Sequence, residues 1–230
     1  MRAIFYIDGF NFYYLRTRKQ PQHKWLDMKQ LADRLVPQGT VVTRVNYYTA
    51  PVSGKVDSDA PRRQQLLLSA LGTCSEVSVF KGRFLYSEKW AGLVKPARAK
   101  PDGYVWAAPE PETVYIKKTE EKGSDVNLGV HLVRDGFTDQ FDVAYVLTND
   151  TDLVEPIRIV AQEIKKPVVM VAPCRPFLQK GRMVPVPAPS LAAFAAHVVY
   201  IDDQDLAASQ FPNPLLRKGK KPLNKPPAWV

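Results

Sequence analysis

Short apolar runs alternate with segments of helical spacing along most of the chain. Residues 3–7 are apolar and rich in β-formers, and a loop with the turn residues Gly9 and Asn11 follows them, so this run predicts a buried strand. Residues 25–37 carry apolar side chains at roughly helical spacing and close at Pro37 and Gly39, so they predict a helix. The chain therefore begins with a strand, a loop and a helix.

The same alternation continues to about residue 200. Further strands are predicted at residues 40–50, 76–82, 142–147 and 167–173. Further helices are predicted at residues 59–72, 124–136 with Ser124 as its N-cap, 153–164 and from 191, the last leading into a short strand. This order predicts an α/β fold with a mostly parallel central sheet and helices on both faces.

Two segments depart from this pattern. Residues 83–112 are rich in Pro and Gly and carry no period, which predicts an irregular insertion, a long loop or a loose hairpin. Residues 206–230 form a basic, Pro-containing C-terminal tail, expected to be extended and poorly ordered unless it docks. It either follows a phosphate backbone or is simply solvated. One folded domain is expected over residues 1–205.

Composition and charge narrow the partners. The 230 residues are 45% hydrophobic and offer no run long enough for a membrane span, and the N-terminus lacks the features of a signal peptide. We expect a soluble cytoplasmic protein with no membrane partner; a homo-oligomer stays open. The net charge of +9 makes nucleic acid the first partner to test. Cys74 and Cys174 form neither a disulfide framework nor a zinc signature.

Acidic residues stand where predicted strands and helices meet. Asp8 ends the first strand, Asp150 and Asp152 follow the strand at 142–147, and Asp125 opens a helix. Ligands of open parallel sheets bind beyond the carboxyl ends of the strands. The four acids are expected to converge if the two strands are neighbours.

Gathered carboxylates repel one another unless a cation neutralises them. Oxygen ligands without His or Cys suit Mg²⁺ or Mn²⁺ better than zinc. Such an ion can activate a water molecule for attack on a phosphodiester. The acidic residues therefore indicate a metal site.

Several of these residues have structural alternatives. Asp152, with Glu155, could cap the following helix, and Asp125 could merely favour the positive end of its helix. Asn11 is either a turn residue or an amide that orders a ligand. His131 is interpreted as a core or interface histidine.

Three segments together resemble a known family. "YIDGFNFYY", "EKGSDVNL" and "VLTNDTDLVEPI" resemble the three motifs of the NYN domain, a branch of the PIN-like nuclease superfamily. The resemblance covers at least residues 1–172, and the ending "LNKPPAW" is similar to the close of bacterial members. Thr148 and Asn149 depart from the family's usual Ser and Gly.

The resemblance implies a three-layer α/β/α PIN-like fold and a nuclease dependent on Mg²⁺ or Mn²⁺ that most often acts on RNA. By position, Asp8, Asp125 and Asp150 resemble the metal-binding catalytic acids. Asp152 resembles a supporting acid and metal ligand, and Asn11 the polar residue of the opening motif.

The hypothesis at this point is an endoribonuclease that hydrolyses RNA through a carboxylate-bound ion. The expected nucleic-acid contacts are Lys117, Lys118, Lys122, Thr148 and Asn149. The alternative is a PIN-like RNA-binding module that cuts slowly or not at all. Phosphoryl transfer on small molecules is disfavoured because no Gly-rich phosphate loop is present.

Overall fold

A parallel sheet of six strands forms the centre of the molecule. The computed structural model describes residues 1–54, 57–95, 97–98 and 103–230. The six strands are β1 (Arg2–Asp8), β2 (Val41–Thr49), β3 (Val77–Lys81), β6 (Val143–Leu147), β7 (Val168–Ala172) and β10 (His197–Tyr200). Their order is β10-β7-β6-β1-β2-β3, and each neighbouring pair is parallel.

Helices cover both faces of this sheet. They are α1 (Gly9–Phe12), α2 (Met28–Leu35), α3 (Ala60–Leu71), α4 (Ser124–Phe137), α5 (Val154–Arg158), α6 (Pro189–Ala192) and α7 (Asp203–Ala208). Single π-helical turns extend α1 to Thr17 and α5 to Glu163. The predicted three-layer α/β/α architecture is confirmed. The loop predicted after β1 is instead helical, because the Asp8 carboxylate caps α1.

Alternation along β1 divides the apolar interior between two cores. Ala3, Phe5 and Ile7 face one side of the sheet, whereas Ile4 and Tyr6 face the other. The first core is closed by Met28, Leu31, Leu71 and Leu206 of α2, α3 and α7. The second core is closed by Leu128, Leu132, Ile157 and Leu191 of α4, α5 and α6. Because both faces are buried, the strands read as continuous apolar runs.

The strand order changes direction at β1. The chain places β2 and β3 on one side of β1 and then returns to place β6, β7 and β10 on the other. β1 and β6 are hydrogen-bonded neighbours, with Ile7 opposite Leu147 at their carboxyl ends. The topological switch point of the sheet therefore lies where Asp8 and the turn after β6 meet.

A two-stranded ribbon stands apart from the central sheet. β4 (Arg83–Gly92) pairs antiparallel with β5 (Thr113–Lys122) over ten residue pairs. The first ten residues of the segment 83–112 form β4, so the expectation of an irregular insertion or long loop is wrong for them, whereas the alternative of a hairpin describes them. Within that segment, residues 96 and 99–102 lie outside the described part of the chain.

The C-terminal residues dock on the first core. Two short hairpins complete the described strands: β8 (Phe177–Gln179) pairs with β9 (Arg182–Val184), and β11 (Leu215–Arg217) pairs with β12 (Lys220–Leu223). Trp229 is buried with its ring centroid 6.3 Å from that of Trp25, whose indole N–H donates to the carbonyl of Pro212 at 3.2 Å. The tail expected to be ordered only on docking therefore docks.

No helix in the described part of the chain has the length and apolar character to cross a bilayer.

One buried carboxylate joins β1, β2 and α4. Asp135 is 1% exposed and accepts hydrogen bonds from the Tyr6 hydroxyl at 2.9 Å and from Arg44 Nη2 at 2.8 Å. The guanidinium of Arg134 also donates to it, from Nη2 at 2.7 Å. Burial and the neighbouring Asp135 charge raise the pKa of Tyr6, so its hydroxyl stays a proton donor.

Replacing Asp135 with Ala should lower the free energy of unfolding by about 3 kcal/mol, because a buried hydroxyl and two guanidinium groups lose their acceptor. Urea denaturation measures this change. The matched control is Asp33→Ala, which removes only an exposed pair with Lys29 and should change stability by less than about 0.5 kcal/mol. Equal losses in the two variants would contradict this account of Asp135.

Candidate functional site

Asp8 lies at the carboxyl end of the central strand and is 5% exposed. Its Oδ1 accepts from the backbone N–H of Asn11 at 2.9 Å, and its Oδ2 accepts from the Thr148 hydroxyl at 3.0 Å. Burial raises the pKa of Asp8, the two hydrogen bonds lower it, and the charge of Asp150 adds to the rise. Asp8 is therefore a buried carboxyl group held in place by the ends of two adjacent strands.

Amide side chains continue this connection. Asn11 Oδ1 accepts from the backbone N–H of Asn149 at 2.9 Å, and Asn149 Oδ1 accepts from the N–H of Ala188 at 2.6 Å. Thr148 is fully buried, and its Oγ1 also accepts from the N–H of Asp150 at 3.1 Å. The side chains of Thr148 and Asn149, expected to contact nucleic acid, are thus engaged within the fold.

The acid that caps the turn after β6 is Asp150. Asp150, expected to be a metal ligand, is the N-cap of the 3₁₀ turn Thr151–Leu153, and its Oδ1 accepts from the N–H of Asp152 at 3.1 Å. Asp152, expected either to cap the helix or to support the metal site, lies inside that turn and is exposed. The earlier acid takes the cap because the chain turns directly after it.

Asp125 is the acid whose pKa is raised furthest toward neutrality. Burial raises its pKa to about 6, together with the charges of Asp8, Asp150, Glu121 and Asp152. The four predicted acids therefore lie close enough together for the charges of the other three to raise the pKa of Asp125. Glu121, which contributes to the same rise, is not one of the four acids predicted from the sequence.

The start of α4 also differs from the prediction. Gly123, with φ of 99°, is the N-cap of α4, and Ser124 is its first helical residue. Glu121 Oε1 accepts from the N–H of Ser124 at 3.2 Å. A carboxylate from β5 thus takes the place of the expected serine cap and brings Glu121 beside Asp125.

The acids do not form a closed ligand set. In the described ranges, no three His, Cys, Asp or Glu residues are grouped closely enough to hold a metal ion. In both Asp8 and Asp150, one carboxylate oxygen already accepts a hydrogen bond from a backbone N–H. The expected Mg²⁺ or Mn²⁺ stays a prediction.

The three lysines expected to contact phosphates lie on β5. Lys118 forms an ion pair with Glu120, and Lys122 Nζ lies 3.7 Å from the same carboxylate. Lys117 is exposed on the ribbon opposite Glu88. Two of the three charges are therefore partly neutralised inside the ribbon itself.

A cavity of about 430 Å³ adjoins the buried acid on the side of α1. Its apolar wall contains Phe10, Phe12, Tyr13, Tyr14, Tyr47 and Trp229. Tyr47 also belongs to the surroundings of Asp8, because burial and the Asp8 charge raise the pKa of its hydroxyl. Apart from the aromatic run that follows Asp8, no pattern in the sequence predicts this cavity.

Gly9 separates the cavity from the acid. A Cβ at this position would lie 2.6 Å from the carbonyl oxygen of Tyr48 and 2.7 Å from the hydroxyl of Tyr47. The absence of a side chain at residue 9 therefore lets α1 approach β2 closely. This close approach sets Asp8 and the wall of the cavity side by side.

Comparisons with known proteins bear on the activity. The chain is 27% identical over 248 residues to 6-hydroxy-3-succinoylpyridine 3-monooxygenase HspA of Pseudomonas putida, and the alignment covers 100% of this chain and 75% of that protein. A solved structure of a protein of unknown function from Vibrio parahaemolyticus has a TM-score of 0.48 and 18% identity, and covers 88% of this chain and 93% of that one. No protein-family model matches the chain.

The prediction of an RNA phosphodiester hydrolase, with its alternative of a weakly active RNA-binding module, is wrong on this comparison. The similar curated protein is a monooxygenase, which is a different class of enzyme. Acids at the carboxyl ends of parallel strands are compatible with many chemistries, so their position alone does not select hydrolysis. The resemblance to the NYN domain stays a prediction.

Asp125→Asn should stabilise the protein at pH 8 but not at pH 4. The folded state raises the pKa of Asp125 to about 6, so the folded state binds this proton more tightly than the unfolded chain. Stability is therefore lost as pH rises from about 4 to about 6, and a neutral Asn removes that loss. After allowance for solvent exposure we expect about 1 kcal/mol, or about 3 °C in Tm.

Thermal denaturation at the two pH values, with chelator present, measures this difference. Asp33→Asn, which changes an exposed acid on α2, is the matched control and should give the same small change at both pH values. A gain in Tm for Asp125→Asn that is equal at pH 4 and pH 8 would show that the pKa of Asp125 is not raised.

Proposed function

We propose that the protein is a monooxygenase that inserts one atom of dioxygen into a small aromatic substrate bound beside Asp8. The observation that carries the proposal is the similarity to a monooxygenase over the whole length of the chain. The aromatic-lined cavity supplies a binding site for such a substrate, and the acidic residues beyond Gly9, among which Asp125 has a raised pKa, supply the proposed proton-transfer group.

The cavity supports the substrate class. Its volume of about 430 Å³ lies in the range of pockets that bury a small organic ligand. Aromatic walls favour a planar ring, because stacked or edge-on ring pairs add attraction to the burial of apolar area. The curated relative is named for a hydroxylated pyridine, and a cavity of about 430 Å³ accommodates a single ring of this kind.

The proposed reaction forms a C–OH bond at a ring carbon and breaks the bond from that carbon to its previous substituent. A hydrogen leaves as a proton, and an acyl arm, such as the one at C3 of the substrate in the relative's name, leaves with a water molecule as a carboxylic acid. One oxygen atom of O₂ enters the ring, and the other leaves as water with two electrons and two protons. The electrons come from a reduced nicotinamide or flavin. The turn after β1 has the single glycine of "DGFNFY" and not the glycine-rich fingerprint that binds dinucleotide phosphates, so the proposal assigns no resident dinucleotide to this turn.

Asp125 is the proposed proton-transfer group. A carboxyl group with a pKa of about 6 exchanges protons readily near neutral pH. Removal of a proton from a ring hydroxyl makes the ring carbons richer in electrons and more reactive toward an electrophilic oxygen. Asp8 is fixed by two hydrogen bonds. We assign it the role of positioning the substrate at the end of the cavity next to Gly9.

The proposal is tested with purified protein, 6-hydroxy-3-succinoylpyridine, NADH and either FAD or FMN. Dioxygen uptake is followed with an electrode, and products are identified by mass spectrometry. We expect uptake that depends on the pyridine, a hydroxylated product, and a decrease in kcat of about 100-fold in Asp125→Asn.

Asp33→Asn is the matched control and should leave the rate unchanged, because its carboxylate lies on the exposed side of α2 and pairs with Lys29. Absence of pyridine-dependent uptake with every reductant would overturn the proposed function. An undiminished rate in Asp125→Asn would overturn the role of this residue.

A further inference from the structure

One side of the cavity carries positive charge. Arg18, Lys24 and Arg63 line it together with His23, and Asp57 is the one acid among its described lining residues. Burial lowers the pKa of His23, so His23 is not counted among the charges. Asp57 is bound by the guanidinium of Arg63, and its charge also favours the protonated form of Lys24, so three cationic side chains share one carboxylate.

Lys24 and Arg18 are held by aromatic rings and not by acids. Lys24 Nζ lies 5.3 Å from the centroid of the Tyr13 ring, and Arg18 Cζ lies 5.5 Å from the centroid of the Tyr14 ring. In the described part of the chain neither forms an ion pair with a carboxylate. Cation–π contacts place the two charges while leaving their N–H donors available to a ligand.

Positive charge in the cavity costs free energy when no anion is bound. Burial lowers the pKa of Lys24, and repulsion from Arg63 and Arg18 lowers it further. A bound carboxylate would reverse this effect, because it would stabilise the protonated amine. An anionic ligand is therefore expected to bind here more tightly than a neutral ligand of the same shape.

Two kinds of ligand that suit an oxygenase combine a flat ring with an anion: a ring compound with a carboxylate arm, and a nicotinamide dinucleotide with its phosphates. The volume of about 430 Å³ suits the first, because a dinucleotide with two nucleosides and two phosphates is much larger. The curated relative's named substrate has a succinoyl arm, which ends in a carboxyl group. The cavity thus matches the smaller ligand in both its apolar and its charged walls.

We propose that Lys24 and Arg18 bind the carboxylate arm of the aromatic substrate and so select aromatic acids over neutral rings. This inference rests on the proposed function for the identity of the ligand as a substrate. The apolar part of the cavity takes the ring, and the basic side orients it, so that the end of the ring away from the arm lies toward Gly9 and Asp8.

Binding without turnover tests the inference. With dioxygen excluded, isothermal titration calorimetry compares three probes, each titrated alone: 6-hydroxy-3-succinoylpyridine, the armless 2-hydroxypyridine, and NADH. We expect the acid to bind at least tenfold more tightly than 2-hydroxypyridine. Lys24→Met and Arg18→Met should each weaken binding of the acid about tenfold, as expected when a charged hydrogen-bond donor is lost, and leave 2-hydroxypyridine within twofold.

Two further variants separate charge from folding. Lys24→Arg should retain most of the affinity for the acid, because it keeps the charge. Lys19→Met is the matched control, since Lys19 is exposed and outside the cavity wall, and it should change no affinity. Circular dichroism checks that each variant is folded.

The failure of this inference differs from the failure of the proposed function. Lys24-dependent binding of the acid by a protein that shows no oxygenation would overturn the activity and keep the anion site. Oxygenation with unchanged affinity for the acid in Lys24→Met would overturn the anion site. Binding of NADH that depends on Lys24, with no effect on the pyridine acid, would assign the basic wall to a nucleotide and overturn the inference.

Discussion

A carboxylate that is buried at the end of a central strand must be satisfied by hydrogen bonds, and in this protein that requirement organises the surroundings of Asp8. The N–H of Asn11 fixes the start of α1, and the hydroxyl of Thr148 fixes the turn after β6. Asn11 and Asn149 extend the connection to Ala188 before α6. Elements that are distant in sequence therefore meet at one edge of the sheet, because each contributes a polar group to the same chain of hydrogen bonds.

The same edge separates two regions of opposite charge. Asp8, Asp125, Asp150 and Glu121 lie on one side, and their mutual repulsion contributes to the raised pKa of Asp125. Across Gly9 lies the cavity, whose basic side chains carry an excess of positive charge. A ligand with a proton to lose at one end and a negative charge at the other would match both regions.

The sequence predicted those features that depend on local pattern. The strands of the central sheet and its two covered faces followed from apolar runs and their order, whereas the pairing of β1 with β6 was only a condition for the acids to converge. The capping of the turn by Asp150 instead of Asp152 could not be predicted, because both carry the same side chain and only the geometry of the turn decides which one caps it. The sequence pattern did not predict β4, because this strand is exposed on both faces and therefore does not alternate between apolar and polar residues.

The cavity and the activity were beyond the reach of pattern alone. The walls of the cavity come from the segments after β1, after β2 and at the C-terminus. The spacing of these segments along the chain does not predict that Trp229 lies in the same cavity wall as Tyr13 and Lys24. The strand-end acids indicated a hydrolase because that chemistry often uses such acids. A fold that accommodates many reactions does not choose among them, and the choice of an oxygenase depends on the relative and on the aromatic cavity.

Isotopic labelling tests the central claim most directly. The protein is incubated with 6-hydroxy-3-succinoylpyridine, reductant and ¹⁸O₂ in ordinary water, and the product is analysed by mass spectrometry. A monooxygenase is predicted to place one ¹⁸O atom in the new ring hydroxyl group. A hydroxylated product that contains no ¹⁸O, and so takes this oxygen from water, would contradict the account.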